Sequence, residues 1–154
     1  MNLRQITNKD QLELIKVYFD SIESLDEKIY SKEQKRAWSS QAWANPNFDK
    51  SITQGKGWLL IEQSTIIAFA TRYPNNRISL FYCKGKFQRK GYGSKLLKKL
   101  EDEAKNEGLD FLSTEASLIS YELFLKNSWE IIRKEKVIIN NIFFERYKMI
   151  KLIN

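Results

Sequence analysis

The sequence predicts a mixed α/β (α+β) fold, a largely antiparallel sheet with flanking helices in the order β-α-α-β-β-β-α-β-α-β-β. Short apolar runs of strand length alternate with segments whose apolar residues recur every three or four positions. Glycine, proline and asparagine punctuate the joins between them. Most neighbouring strand candidates are linked by turns too short for a crossover, which makes them antiparallel partners. The 154 residues are 42% hydrophobic and 13% aromatic, enough for the core of one domain spanning 1–154.

Leu3 to Thr7 is the first strand candidate, and Asn8 or Asp10 is placed to cap a helix carrying Leu12, Ile15, Phe19 and Ile22. A second helix starts at Ser31, with Gln34 in the capping-box position, and stops before Asn45-Pro46. Gly55 and Gly57 lead into "WLLIEQSTIIAFATRY", a hairpin turning at Gln63-Ser64. Pro74-Asn75-Asn76 is a turn, and "RISLFYC" is the next strand. From Gly93, an apolar stripe of Leu96, Leu97, Leu100 and Ala104 marks a helix, with Lys98 and Asp102, Lys99 and Glu103, and Glu101 and Lys105 as i,i+4 pairs. Gly108 ends it. "LDFLST" is a short strand, Ser117 a cap for a helix to about Lys126, and Asn127 its left-handed stop. Two long strands flank Asn140-Asn141, a pair that tolerates the positive φ of a two-residue turn.

Composition removes several chemistries. There is no histidine and only one cysteine, Cys83, so a zinc site, a Ser-His or Cys-His nucleophile and an internal disulfide are not expected. Met1 to Gln11 is polar, and no apolar run approaches the roughly 18 residues of a membrane span. The reading is a cytoplasmic protein without a membrane partner. A net charge of +7 is compatible with nucleic acid, anionic lipid or a phosphorylated small molecule.

The position of that charge separates these partners. "FQRKGYGSKLLKKLEDEAKNEG" follows a strand and opens a helix, so the unpaired N–H groups of the first helical turn and the positive end of its dipole form a cradle for an anion. Lys84, Lys86, Arg89, Lys90, Lys95, Lys98 and Lys99 all precede the first acidic residue, Glu101. Tyr92 after Gly91 rules out a P-loop, and Leu96 stands where a dinucleotide fingerprint needs a third small residue. On these residues alone, a diphosphate site and a solvated basic helix start have equal weight.

The stretch "ISLFYCKGKFQRKGYGSKLLKKLEDEA" resembles motif A of the GNAT superfamily of N-acetyltransferases, with Gln88, Gly91 and Gly93 at the positions of its Gln/Arg-x-x-Gly-x-Gly/Ala loop. "YSKEQKRAW" is similar to the substrate-side helices of a bacterial branch, and "TEASLISYELFLKNSWEIIRKEKVIINNIFFERYKM" to its C-terminal half. The resemblance implies a GNAT-like fold and acetyl-CoA as acyl donor. It places the coenzyme pyrophosphate on Gln88, Arg89, Lys90, Gly91, Tyr92, Gly93 and Ser94, and the pantetheine arm along Phe81, Tyr82 and Cys83, with the thioester where two strands splay apart. Gly85 departs from a proline common in that branch, which is expected to loosen the approach to the loop.

A second departure concerns catalysis. The family often carries a tyrosine that protonates the departing thiolate, in a Phe-Tyr-x-x-x-Gly-Phe pattern; here Leu123, Phe124, Ser128 and Trp129 match it. Tyr121, one turn earlier, is a substitute, with packing an equal reading. Tyr82 is a weaker candidate. For the base, Glu115 leads, against a capping or hydrogen-bonding role favoured about two to one. Asp26 and Glu27 follow. Tyr30, Trp38, Trp43 and Tyr73 lie in or near segments that wall the acceptor pocket in relatives, where aromatic rings suit an amine, although packing is their commoner fate.

Three functions remain open. The first is an N-acetyltransferase that moves acetyl from acetyl-CoA to a primary amine of a small molecule, peptide or protein, by direct attack in a ternary complex. The second is a non-catalytic acyl-CoA binding module, motivated by Phe124 at the acid position. A nucleic-acid-binding protein ranks last, because the basic residues crowd the loop rather than forming a stripe with stacking aromatics. The assembly is left open, a homodimer included.

Overall fold

The computed structural model describes Met1–Asn154. One seven-stranded sheet runs through it in the order β1-β2-β3-β4-β5-β7-β6. The strands are β1 (Asn2–Gln5), β2 (Lys56–Glu62), β3 (Thr65–Arg72), β4 (Arg77–Cys83), β5 (Phe111–Ala116), β6 (Glu130–Ile139) and β7 (Ile142–Leu152). Every neighbouring pair is antiparallel except β4 and β5. That exception follows from connectivity, since β4 reaches β5 through a 15-residue helix, long enough for a crossover.

The helices are α1 (Gln11–Glu23), α2 (Lys32–Ser39), α3 (Gln41–Ala44), α4 (Pro46–Thr53), α5 (Tyr92–Asn106) and α6 (Tyr121–Lys126). They cover both faces of the sheet. On one face α5 buries Leu96, Leu97, Leu100 and Ala104 against Ala68, Ala70, Ile78, Leu112 and Met149. On the other, α1 and α4 bury Leu14, Val17, Tyr18, Ile22, Phe48 and Ile52 against Leu59, Phe69 and Leu80.

Several sequence expectations are corrected. The buried stripe of α1 is Leu14, Val17, Tyr18, Ser21 and Ile22, while Leu12 is 75% exposed. Neither Asn8 nor Asp10 caps α1 with its side chain. The Asp10 carboxylate accepts the Thr7 N–H at 2.8 Å and pairs with Arg4, so it closes the preceding turn instead. Asn45-Pro46 ends α3 and also begins α4, which was not anticipated. Asn45 is extended, as a residue before proline must be, its side chain accepts the Asn47 N–H, and Pro46 sits where a helix needs no N–H. Of the three i,i+4 pairs on α5, only Lys98 with Asp102 forms. Lys99 lies 4.2 Å over the Trp58 ring and Glu101 reaches Lys151 at 2.6 Å. The positive φ after α6 belongs to Ser128 rather than Asn127.

Other expectations hold. Ser31 and Gln34 exchange both capping-box bonds, at 3.1 and 2.9 Å. Gln63, Ser64, Asn140 and Asn141 take positive φ in the two hairpin turns, and Gly108 does so at the end of α5.

Glu103 of α5 and Glu107, the residue that follows it, point at Arg72, a fully buried cation at the end of β3. Arg72 bonds Glu107, Glu103 at 3.1 Å and the Asn75 carbonyl, and Lys56 adds a contact to Glu107 at 3.0 Å. Arg72→Ala removes one side of a largely buried ion network. It is expected to lower stability by about 2–3 kcal/mol in urea unfolding, with the lower end set by the partial solvent access of both carboxylates.

Candidate functional site

β4 and β5 pair only at Arg77 with Ser113 and Ile78 with Thr114, although both strands continue. Against β3, Thr71 faces Leu80 and Arg72 faces Ile78, so Ser79 is an extra residue. Such a bulge bends its strand, and here the rest of β4 leaves β5. The opening becomes a cleft of about 450 Å³. One end is lined by Gln88, Arg89 and Gly91 with Gly93 and Ser94 of α5. The other end is lined by Glu115 of β5, Ser21 of α1 and Trp38 of α2, with Tyr82 and Phe124 between.

At the loop end, Arg89 and Gly91 both have positive φ, and Gly91 at φ 85° is the residue before α5, with no side-chain cap. The backbone N–H groups from Arg89 to Ser94 donate to nothing in the protein, whereas Gln88 donates to Gly85 and Lys95 to Gly91. Six successive free donors at a helix start have the chemistry to hold an anion. A Cβ at Gly91 would meet no protein atom within 4 Å, and Gly91 is part of the cleft lining. Gly93 has a different setting: its Cβ would lie 2.8 Å from Leu123 Cδ2 of α6, the tip of a side chain that can turn aside. The Gln88 side chain donates to the Cys83 carbonyl at 3.0 Å and ties the loop to β4. Lys90 and Tyr92 are not part of the lining. Lys90 sits 5.7 Å over the Phe87 ring, and the Tyr92 hydroxyl donates to Glu62 at 2.8 Å. Gly85 donates its N–H to Asp20 at 2.8 Å, a bond that proline could not make, and its Cβ would lie 2.4 Å from Ser24 Cβ.

Among the tyrosines, Tyr82 lines the cleft and Tyr121 does not. Tyr121 lies against Tyr147 with ring centroids 4.5 Å apart. The Tyr82 hydroxyl accepts the Trp38 indole N–H at 3.2 Å, its ring meets Tyr18 edge-on, and burial pushes its pKa up to about 12. Its own proton has no acceptor in the protein. Phe124 is buried between Phe81 and Trp129. Burial, with the charge of Asp20 beside it, raises the Cys83 thiol to about 11, so it stays protonated at neutral pH.

Glu115 lines the cleft with a mostly buried carboxylate. Arg77 reaches it from β4 at 2.9 Å and Lys148 from β7 at 3.3 Å. Burial pushes the carboxyl up, but the hydrogen bond and charge of Arg77 and the charge of Lys148 outweigh it and hold Glu115 below the usual carboxylate value. Glu115 does not cap α6. Nor does Ser117, expected as the cap: its hydroxyl accepts the Ser120 N–H at 3.0 Å and closes the turn before the helix, which starts after Ser120 with no side-chain cap. Sequence reasoning missed Arg77 and Lys148, because their partnership with Glu115 depends on three strands coming side by side.

The aromatic candidates divide. Trp38 lines the cleft, and Tyr30 packs behind it at 5.1 Å with its hydroxyl accepting the Leu118 N–H. Trp43, 71% exposed and against Phe19, stands outside. Tyr73 also lies outside, its carbonyl accepting from Arg77 at 3.2 Å. Asp26 accepts the Lys28 N–H, and Glu27 faces Lys32; neither reaches the cleft.

No helix is long and apolar enough to cross a membrane. No curated protein matches the chain. Among solved structures, a GCN5-related N-acetyltransferase from Rhodopseudomonas palustris, also described as an aminotransferase of class II, superposes with a TM-score of 0.90 at 25% identity, covering 98% of this chain and 94% of that one. PaiA N-acetyltransferase from Thermoplasma acidophilum, in complex with coenzyme A, gives 0.76 at 18% identity over 99% of each chain. A Salmonella typhimurium chain with its cofactor acetyl-CoA gives 0.68 at 14% identity, covering 100% of this chain and 94% of that one. The latter two share the fold. The family model for the acetyltransferase (GNAT) domain matches residues 26–151, which include the loop and the splayed strands. The chain therefore belongs to the GNAT acetyltransferase family.

Proposed function

We propose that residues 1–154 act as one N-acetyltransferase domain that transfers the acetyl group of acetyl-CoA to a primary amine by direct attack in a ternary complex. The observation that carries this reading is the continuity of one cleft from the free amides of the loop to Glu115 and Trp38. Acetyl-CoA supplies an acetyl group on a thioester, whose carbonyl carbon takes the amine's electron pair as the C–S bond breaks. The amides of Arg89 to Ser94 and the Arg89 side chain hold the diphosphate, with Lys84, Lys86, Lys90 and Lys95 adding positive field. The exposed edge of β4 from Phe81 to Cys83, freed by the splay, takes the pantetheine arm as a strand would.

At the far end, Glu115 accepts a hydrogen bond from the acceptor amine and orients it. With its pKa held below the ordinary carboxylate value, it is a poor match for abstracting a proton at neutral pH. Acceptor amines have pKa values of about 8 to 10, so water in the cleft takes the proton and the rate rises with pH. Tyr82 keeps its proton over this whole range and donates it to the departing sulfur.

Glu115→Gln separates anchor from base. As an anchor, its loss raises KM for the amine about tenfold and leaves the midpoint of the pH-rate profile in place. A midpoint that moves makes Glu115 the base. A non-catalytic acyl-CoA binding module is the second reading, favoured by Phe124 at the usual acid position. The test is a panel of amines assayed with acetyl-CoA: free thiol released only in the presence of an acceptor supports transfer, and saturable binding without thiol across the panel supports the second reading.

A further inference from the structure

The acceptor face of the sheet carries two triads of charge. In the first, Glu115 is shared by Arg77 and Lys148. In the second, Glu135 of β6 is shared by Arg133 at 3.2 Å and Arg146 of β7 at 2.8 Å. They lie on one surface. Phe144, Arg146 and Lys148 alternate along β7 and so point the same way. Phe144 packs against Tyr30 and against Trp38, a wall of the cleft. Lys148 is directly opposite Glu115, and Arg146 directly opposite Glu135.

Each triad has one anion for two cations, so the surface retains positive charge. The hydrogen bonding leaves capacity as well. Arg133 and Arg146 each engage Glu135 through Nε alone, and their terminal nitrogens donate to nothing in the protein. Arg146 is 34% exposed and Arg133 60%, so both forks can be reached from solvent. A guanidinium with its terminal N–H groups open matches a carboxylate bidentately.

We propose, on the basis of the acetyltransferase reading above, that the acceptor is the N-terminus of an acidic peptide. Its amine sits between Glu115 and Tyr82, and its following acidic side chains lie on Lys148, Arg146 and Arg133. The dimensions favour a peptide over a single amino acid. From β5 across β7 to β6 is two strand spacings, about 10 Å, which an extended chain covers in about three residues. The charges already committed to Glu115 and Glu135 fix the cations in place, so an incoming carboxylate meets donors that need no reordering.

The experiment uses the full chain with acetyl-CoA and two free-amine peptides that share their first residue, one continuing with Asp and Glu and the other with Lys and Arg. Binding of acetyl-CoA to the full chain is measured first; its absence overturns the proposed function itself, before any peptide is added. With the coenzyme bound, kcat/KM for the acidic peptide is expected to exceed that for the basic one by about tenfold or more. Added salt should shrink the difference. An N-acetylated, fluorescent acidic peptide should bind the coenzyme A complex in a salt-sensitive way. The double variant Arg133→Gln with Arg146→Gln is expected to lose most of the preference at unchanged acetyl-CoA affinity. Equal use of the two peptides, preference for the basic one, turnover of small amines alone, or turnover of neither peptide with coenzyme bound overturns the proposal. The comparison of peptides on the unmodified chain stands even where the double variant fails to fold.

Discussion

Gly91→Val is expected to reduce acetyl-CoA affinity by at least about 100-fold while leaving a folded protein. Two effects combine at this position. Valine is forced to φ near +85°, which costs about 1–2 kcal/mol. Its branched side chain also adds bulk at the cleft wall beside the amides proposed to hold the diphosphate, each such charge-assisted bond contributing about 1.5–3 kcal/mol. Loss of two of them already exceeds the factor of 100. The fold survives because a Cβ at this site touches no protein atom, and the backbone strain is small against a typical domain stability of about 5–15 kcal/mol. Isothermal titration with acetyl-CoA, with the thermal midpoint as control, reads both. Unchanged affinity in a folded variant places the diphosphate elsewhere.

Tyr82→Phe is expected to lower kcat about 100-fold with little change in acetyl-CoA affinity. A positioned general acid contributes roughly 10²–10⁴-fold; the low end fits a phenol that water in the cleft partly replaces. Tyr82 is the tyrosine that lines the cleft, while Tyr121 is committed to Tyr147. Tyr121→Phe should therefore leave kcat within about twofold of the unmodified chain. The reverse pattern in steady-state assays returns the acid role to Tyr121.

Local order was the legible part of this protein. The Ser31 and Gln34 capping box, the paired asparagines at 140 and 141 and the apolar stripe of α5 are each written within a few neighbouring residues, so their chemistry could be read before their surroundings were known. α1 was misjudged because Leu12 and Leu14 are equally apolar, and only packing on Leu59, Phe69 and Leu80 decides which turns inward. The run of free donors at the start of α5 was legible because those donors are consecutive in sequence. Glu115 was legible as an acidic group near the site, yet its character was not, since the cations that hold its proton off lie 38 and 33 residues away in sequence. Lys99 and Glu101 show the same limit in miniature: each has a charged neighbour one turn along, but an aromatic ring and a distant lysine compete for them with more burial.

The extra residue at Ser79 has a consequence for inheritance. By parting two strands in the middle of the sheet, it opens one cleft whose two ends are built by different elements. Residues toward one end are drawn from the β4-α5 join, and residues toward the other from α1, α2 and β5. Descendants can thus exchange one set, and acquire new tastes in what they modify, while the machinery for the shared carrier passes on untouched.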